Sequence, residues 1–131
     1  MKKYNDHVQR VGVGDFGDIF QGVKNEEAIQ FLLNQRSGEV VSAIIRDGFG
    51  TIDIVYGKDG YDGYGLAHIE EQRPGFSKYI PEIVMHGIQF EQSKDRVLFI
   101  HNLPDKKRIA VVRLDWNGKD KHWVVTGFGD L

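Results

Sequence analysis

The sequence predicts an α+β domain, with one or two helices of its N-terminal half packed on a twisted, mainly antiparallel sheet. Three observations predict it. One apolar stripe at helical spacing lies in NEEAIQFLLNQRSGE. The runs EVVSAIIRD, TIDIVYG, RVLFIHN and KRIAVVRLDW are short, rich in β-branched residues and strand-like. Glycine, proline and Asn-Gly signals separate them. The 131 residues, 40% of them hydrophobic, are enough for one domain with a sizeable core.

Residues 1–24 are rich in Gly and Asp with little periodicity. They read as a mobile or loosely packed arm anchored by Phe16 and Phe20, leaving 25–131 as the single domain. Asn25 is suited to cap the first helix, with Glu26 and Glu27 facing its positive end. Ala28, Ile29, Leu32 and Leu33 form its buried stripe, and Gly38 suits the position past its end. From Glu39 the period changes to two. EVVSAIIRD and TIDIVYG read as antiparallel strands joined by DGFG, with Ile52 and Ile54 on one face and Asp53 on the other. KDGYDGYG is a loop, and GLAHIEEQ a short helix closed by Pro74. KYIPEIVMHG is expected as another short helix ended by Gly87. IQFEQ, RVLFIHN, KRIAVVRLDW and HWVVTGF are the remaining strands, the last two joined by the Asn-Gly turn of NGKDK.

Several function classes are excluded or disfavoured. With no cysteine, disulfides and thiolate zinc sites are ruled out. No apolar run approaches the roughly 18 residues of a spanning helix, and the basic start lacks the apolar stretch of a signal peptide. A cytoplasmic place of action, or delivery into the cytoplasm of a target cell, fits. The net charge of −2 argues against bulk electrostatic binding of nucleic acid but leaves a local basic patch open. The loop GKDGYDGYG has neither P-loop nor dinucleotide spacing and reads as a flexible connection. The histidines show no metal-ligand spacing, so no metal or cofactor is expected.

Three places carry chemistry. His68 lies on the short helix between the core positions Leu66 and Ile69, near the boundary with water. Glu71, three residues on, shares its side of the helix, and Arg73 stands at the helix exit. An imidazole there is either structural or an acid–base group working near neutral pH. In HWVVTGF, alternation puts Trp123, Val125 and Gly127 on one face and His122, Val124 and Thr126 on the other. Trp123 is either core or a platform for a base, and Thr126 either a strand residue or a hydroxyl for a phosphoryl oxygen. In DKKRIAVVR, Lys107 and Arg108 belong to a local excess of positive charge. They are either solubilising groups or phosphate contacts. His101, at the end of its strand, is a second acid–base candidate.

Taken in order, EAIQFLLNQRSGEVVSAI, GTIDIVYG, GYGLAHIEEQR, IPEIVMHG and WVVTGF resemble the phage- and polymorphic-toxin endoribonucleases of the barnase/EndoU/colicin/RelE-like group (the BECR fold). The track spans about residues 27–128. The pairing of IDIVYG with GLAHI, and the terminal W-x-x-T-G, are its most specific parts. The resemblance implies an RNA-cleaving groove across the sheet and no cofactor. It carries the helix histidine onto His68, the acidic and basic positions after it onto Glu71 and Arg73, and the terminal hydroxyl onto Thr126. The basic residue entering the penultimate strand falls on Lys107 or Arg108. QRPGF departs from the His/Arg-rich helix exit of the family, and that bears on Arg73. The implied activity is a metal-independent endoribonuclease toxin acting on RNA, with tRNA one candidate, and a cognate immunity protein is an expected partner. A catalytically inactive binding module of the same fold is the alternative, and a metal-dependent nuclease a third.

Overall fold

The β-branched runs on either side of the central helices meet in one sheet, where TIDIVYG pairs with HWVVTGF. The computed structural model describes residues 7–131. Its elements are β1 (Gln9–Gly14), β2 (Gly17–Gln21), α1 (Asn25–Gln35), β3 (Glu39–Arg46), β4 (Gly50–Val55) and α2 (Gly65–Gln72). A 3-10 turn (Ser77–Tyr79) then leads into α3 (Ile80–His86), β5 (Ile88–Ser93), β6 (Arg96–Asn102), β7 (Lys107–Trp116) and β8 (Lys119–Gly129). The eight-stranded sheet has the order β1-β2-β3-β4-β8-β7-β6-β5. The chain is therefore α+β, and its sheet is mixed. β2–β3 and β4–β8 are parallel, and the other five neighbouring pairs are antiparallel.

Residues of alternate parity divide the sheet between a helix-covered face and an open face. Ile52 and Ile54 of β4, Val97 and Phe99 of β6, and Ala110 and Val112 of β7 share one core with Ile29, Leu32, Leu66, Ile69 and Ile83 of the helices. Asp53, Arg96 and Arg113 point the other way. The two halves of the sheet meet at β4–β8, where the paired residues are Asp53 and Trp123. Lys121 reinforces that seam from the open face. Its Nζ lies 2.6 Å from Glu39 Oε1 on β3 and 2.7 Å from Asp53 Oδ2 on β4. Asp53 Oδ1 in turn accepts the N–H of Ser42, 2.7 Å away, at a β-bulge in β3. Burial alone would disfavour the Lys121 ammonium. The bonds to Asp53 and Glu39 outweigh that and hold its pKa above the usual lysine value.

Three local expectations are corrected. Residues 7–24 are no loose arm: β1 and β2 form a hairpin, and β2 joins β3 through Ile19↔Glu39 and Phe20↔Val40. Phe20 is buried and meets Phe31 edge-on at 4.7 Å. The glycines at 12, 14 and 17 had hidden the strand period there. Residues 1–6 of the expected arm lie outside the described residues. The cap position of α1 is Lys24, whose side chain makes no capping hydrogen bond, and the expected cap Asn25 is the first helical residue, at φ 51°. The left-handed residue closing α1 is Arg36, not Gly38. Gly38 is required elsewhere, since a Cβ there would come within 2.6 Å of Asp18 O on β2.

A fourth correction concerns β8. Val111 pairs with Thr126 while Val112 pairs with Val124, so Val125 is an extra residue in β8. This bulge reverses the alternation beyond it. Gly127 consequently faces the helices, where a Cβ would collide with Ile80 and Phe76. Thr126 is delivered to the open face, the same face as Trp123, contrary to strict alternation.

Replacing Lys121 with Met is expected to leave two inward carboxylates without their cation and to cost about 3 kcal/mol. Urea unfolding at neutral pH checks this. A loss below about 0.5 kcal/mol would show that the seam does not need the ammonium.

Candidate active site

β8 outruns β4. With Asp53 level with Trp123, β4 ends at Val55 while β8 continues to Gly129. Helix α2 packs against β8 and against the end of β4. Gly65 opens the helix at φ 76°, and a Cβ there would lie 2.8 Å from both Val55 O and Tyr56 O. Only glycine lets the helix begin this close to the strand. Leu66 and Ile69 are fully buried and fix the helix to the core. His68 lies between them and is half-buried. Its Nδ1 is shielded from solvent and has no hydrogen-bond partner among the described residues.

The segment beside His68 is a folded loop. Lys58 and Tyr64 exchange two backbone hydrogen bonds, and Gly63 N–H donates to Gly60 O at 3.0 Å. Glu71 accepts the Gly60 N–H at 2.9 Å. Glu71 is thus a tether between α2 and the loop, and no bond joins it to His68. A Cβ on Gly63 would lie 2.8 Å from His68 Nδ1, so the loop presses directly on the imidazole. Arg73 is exposed at the helix end. Its N–H donates to Ile69 O, and its guanidinium forms no ion pair among the described residues.

Glu70, which the sequence did not single out, orders the helix exit. Its carboxylate accepts the N–H groups of Gly75 and Ser77 and the Ser77 hydroxyl, at 2.9, 3.0 and 2.5 Å. Burial works against this charge, but the bonds from Ser77 and Gly75, helped by Lys78, hold its pKa below the usual carboxylate range. The departure at QRPGF is therefore a turn clamped by a carboxylate.

On the open face a cavity of about 310 Å³ lies against the loop and β8. Lys58, Arg96 and Arg113 give it positive charge, Asp62 a negative one, and Gly63, Tyr64, Trp116, Trp123 and Val125 complete the wall. Arg96 and Arg113 are direct cross-strand partners. Arg113 is partly neutralised by Asp115, with Nε 2.9 Å from Oδ1. Arg96 has no ion pair among the described residues. Thr126 adjoins Val125 of the cavity wall. Its partner Val111 lies two residues from Arg113, about 7 Å along β7.

Other candidates fall elsewhere. Trp123 is only 1% exposed, and its indole N–H donates to Asp115 O. Its ring is packed among Phe16, Tyr64 and Trp116, so it is no open platform for a base. Arg108 is 6% exposed on the helix-covered face. It stacks 3.7 Å from the Tyr79 ring centroid and donates to Asp130 O, a structural role instead of a phosphate contact. His101 is its cross-strand partner on that face, beside His86, and its buried Nδ1 has no hydrogen-bond partner among the described residues. Lys107 is exposed, but it begins β7 whereas Arg113 is six residues on, roughly 20 Å away. Lys58, Arg96 and Arg113 line one cavity, which His68 adjoins through Gly63 and Thr126 through Val125, while Lys107, Arg108 and His101 lie towards the other ends of β7 and β6. Counting outward from the LPDK turn sets Arg96 opposite Arg113. That was the available signal for this pair.

The fold is thus an α+β sheet whose open face carries a cavity lined by three cations and one carboxylate, with the loop beside it packed on His68. Residues 43–131 match the family described as phage Barnase-EndoU-ColicinE5/D-RelE like nuclease 1, and the chain belongs to that family. No curated protein and no solved structure shows significant similarity to it. The matched stretch contains the groove, α2 and the bulge, whereas β1, β2 and α1 precede it. Among the described residues no helix is long and apolar enough to cross a membrane.

A carboxylate with a depressed pKa contributes stability above its unfolded value, and loses it as pH falls through the folded value. Glu70→Gln is therefore expected to cost about 1–2 kcal/mol at pH 7, discounted for partial exposure. The difference from wild type should shrink as the pH falls below the usual carboxylate range. Urea unfolding as a function of pH tests this, and a pH-independent difference would contradict it.

Proposed function

We propose that the chain is a metal-independent endoribonuclease toxin. Membership of a nuclease family supports the general chemistry. The pairing of Arg96 with Arg113 carries the reading to this groove. Like charges directly opposite on neighbouring strands destabilise a sheet. A phosphate between them converts that repulsion into two charge-assisted contacts.

In the proposed reaction the 2′-hydroxyl attacks the adjacent phosphorus. The O2′–P bond forms, the P–O5′ bond breaks, and the products are a 2′,3′-cyclic phosphate and a 5′-hydroxyl. His68 takes the 2′ proton or delivers one to the leaving oxygen. Arg96, Arg113 and Lys58 stabilise charge on the phosphorane, and Thr126 donates to a phosphoryl oxygen. Glu71 keeps the loop seated against His68. Arg73 remains a candidate for the flanking phosphate. The substrate is RNA, tRNA being one candidate. A toxin of this kind acts in the cytoplasm, its own or that of a target cell, and calls for an immunity protein as partner.

Purified protein incubated with total RNA in EDTA is expected to give discrete products ending in 2′,3′-cyclic phosphate. His68→Ala is expected to lower cleavage about 10²- to 10⁴-fold while keeping the melting temperature. Full cleavage by folded His68→Ala protein would remove His68 from the mechanism. Absence of products would select an inactive binding module, and products abolished by EDTA a metal-dependent nuclease.

Arg96→Ala separates function from stability. It is expected to stabilise the fold by about 0.2–1 kcal/mol while weakening RNA binding and flattening its salt dependence. Unfolding curves and binding titrations at two salt concentrations measure both. Destabilisation with unchanged RNA affinity would assign Arg96 a structural role.

A further inference from the structure

Tyr61 is fully exposed, at 101% of its reference area, on the tip of the turn between Gly60 and Gly63. A single exposed aromatic needs no explanation by itself. This one differs because its mounting is fixed. The Gly60–Gly63 hydrogen bond closes the turn, the paired backbones of Lys58 and Tyr64 close its base, and Glu71 ties it to α2. The backbone beneath the ring is already ordered, so stacking costs the rotamer freedom of one side chain and little of the turn's.

The same loop supplies Lys58, Gly63 and Tyr64 to the cationic cavity. Its tip has the opposite charge: Asp59 and Asp62 flank Tyr61 in KDGYDGYG. A polyanion therefore places its phosphates on Lys58, Arg96 and Arg113, away from the tip. The bases, which are uncharged, are the parts of the chain that the tip tolerates. Tyr64 and Trp116 are already engaged in the aromatic cluster, their ring centroids 6.3 Å apart. Tyr61 is the aromatic on this loop that remains open to a ligand.

We infer that Tyr61 is the stacking platform for an unpaired base of single-stranded RNA whose backbone lies in the groove, an inference that rests on the nuclease reading above. Base–aromatic stacking is sequence-tolerant, because every base has a π-face. A duplex withholds its bases in the helical stack. The platform therefore selects single strands and loops over paired RNA.

The test is fluorescence anisotropy with a labelled single-stranded RNA made uncleavable by 2′-deoxyribose substitution, and a duplex of the same length. Wild type, Tyr61→Ala and Tyr61→Phe are compared, with melting temperatures to confirm that the exposed substitutions leave the fold intact. Tyr61→Ala should weaken single-strand binding about 5- to 100-fold. Tyr61→Phe should stay within about threefold of wild type on the same stacking argument, and duplex binding should not change. Unchanged affinity of Tyr61→Ala overturns the platform while leaving the nuclease reading intact. Equal losses in Ala and Phe variants would replace stacking with a hydroxyl contact and also overturn it. Wild-type protein without affinity for RNA overturns the inference and the reading together.

Discussion

The ammonium of Lys121, held between Glu39 and Asp53, is the constraint on which the arrangement of the open face depends. It spans three strands, β3, β4 and β8, at the seam where the two halves of the sheet meet. A buried ion pair is seldom more stabilising than a well-packed apolar substitute. Its importance here is positional. Two carboxylates are committed to the seam, and one cation binds both. With Asp53 level with Trp123, the end of β4 and the overrun of β8 follow geometrically.

The overrun makes room for α2, and α2 carries His68. Gly65 permits the close start of the helix, and Leu66 and Ile69 hold it down. Gly63 lets the loop touch the imidazole. On the neighbouring strand the Val125 bulge turns Thr126 outward to the face that bears Arg96 and Arg113. Each step is a local requirement of backbone geometry, and together they put His68 under the loop and Thr126 on the face that bears the arginines. The opposed arginines are a local conflict in an otherwise consistent sheet. Such conflicts concentrate where function outweighs stability.

Much of this was legible in the sequence. The stripe of α1, the strands around TIDIVYG and the helix GLAHIEEQ are signalled by period and punctuation, and the resemblance drew attention to His68 and Thr126. What failed was what period cannot encode. A one-residue bulge at Val125 reverses a face without any glycine or proline to mark it. Lys107 and Arg108 looked better placed than Arg113 because charge density, unlike register, is visible along a chain. Arg108 then proved to be buried on Tyr79. Trp123 had two meanings in the sequence, and burial decided for the aromatic cluster. The parallel pairing of β4 with β8 joins strands far apart in the chain, and that of β2 with β3 crosses over α1, so no turn signal reports either.

The central claim is that RNA lies across the open face, in the groove between His68, the arginine pair and the bulge. Backbone amide chemical-shift mapping with an uncleavable 2′-deoxy-substituted RNA tests it most directly. The expected result is perturbation concentrated at Lys58, Gly63, His68, Arg96, Arg113, Val125 and Thr126, with Lys107, Arg108 and His101 unaffected. Perturbations confined to the His101–Arg108 end of the sheet, or none at saturating RNA, would contradict it.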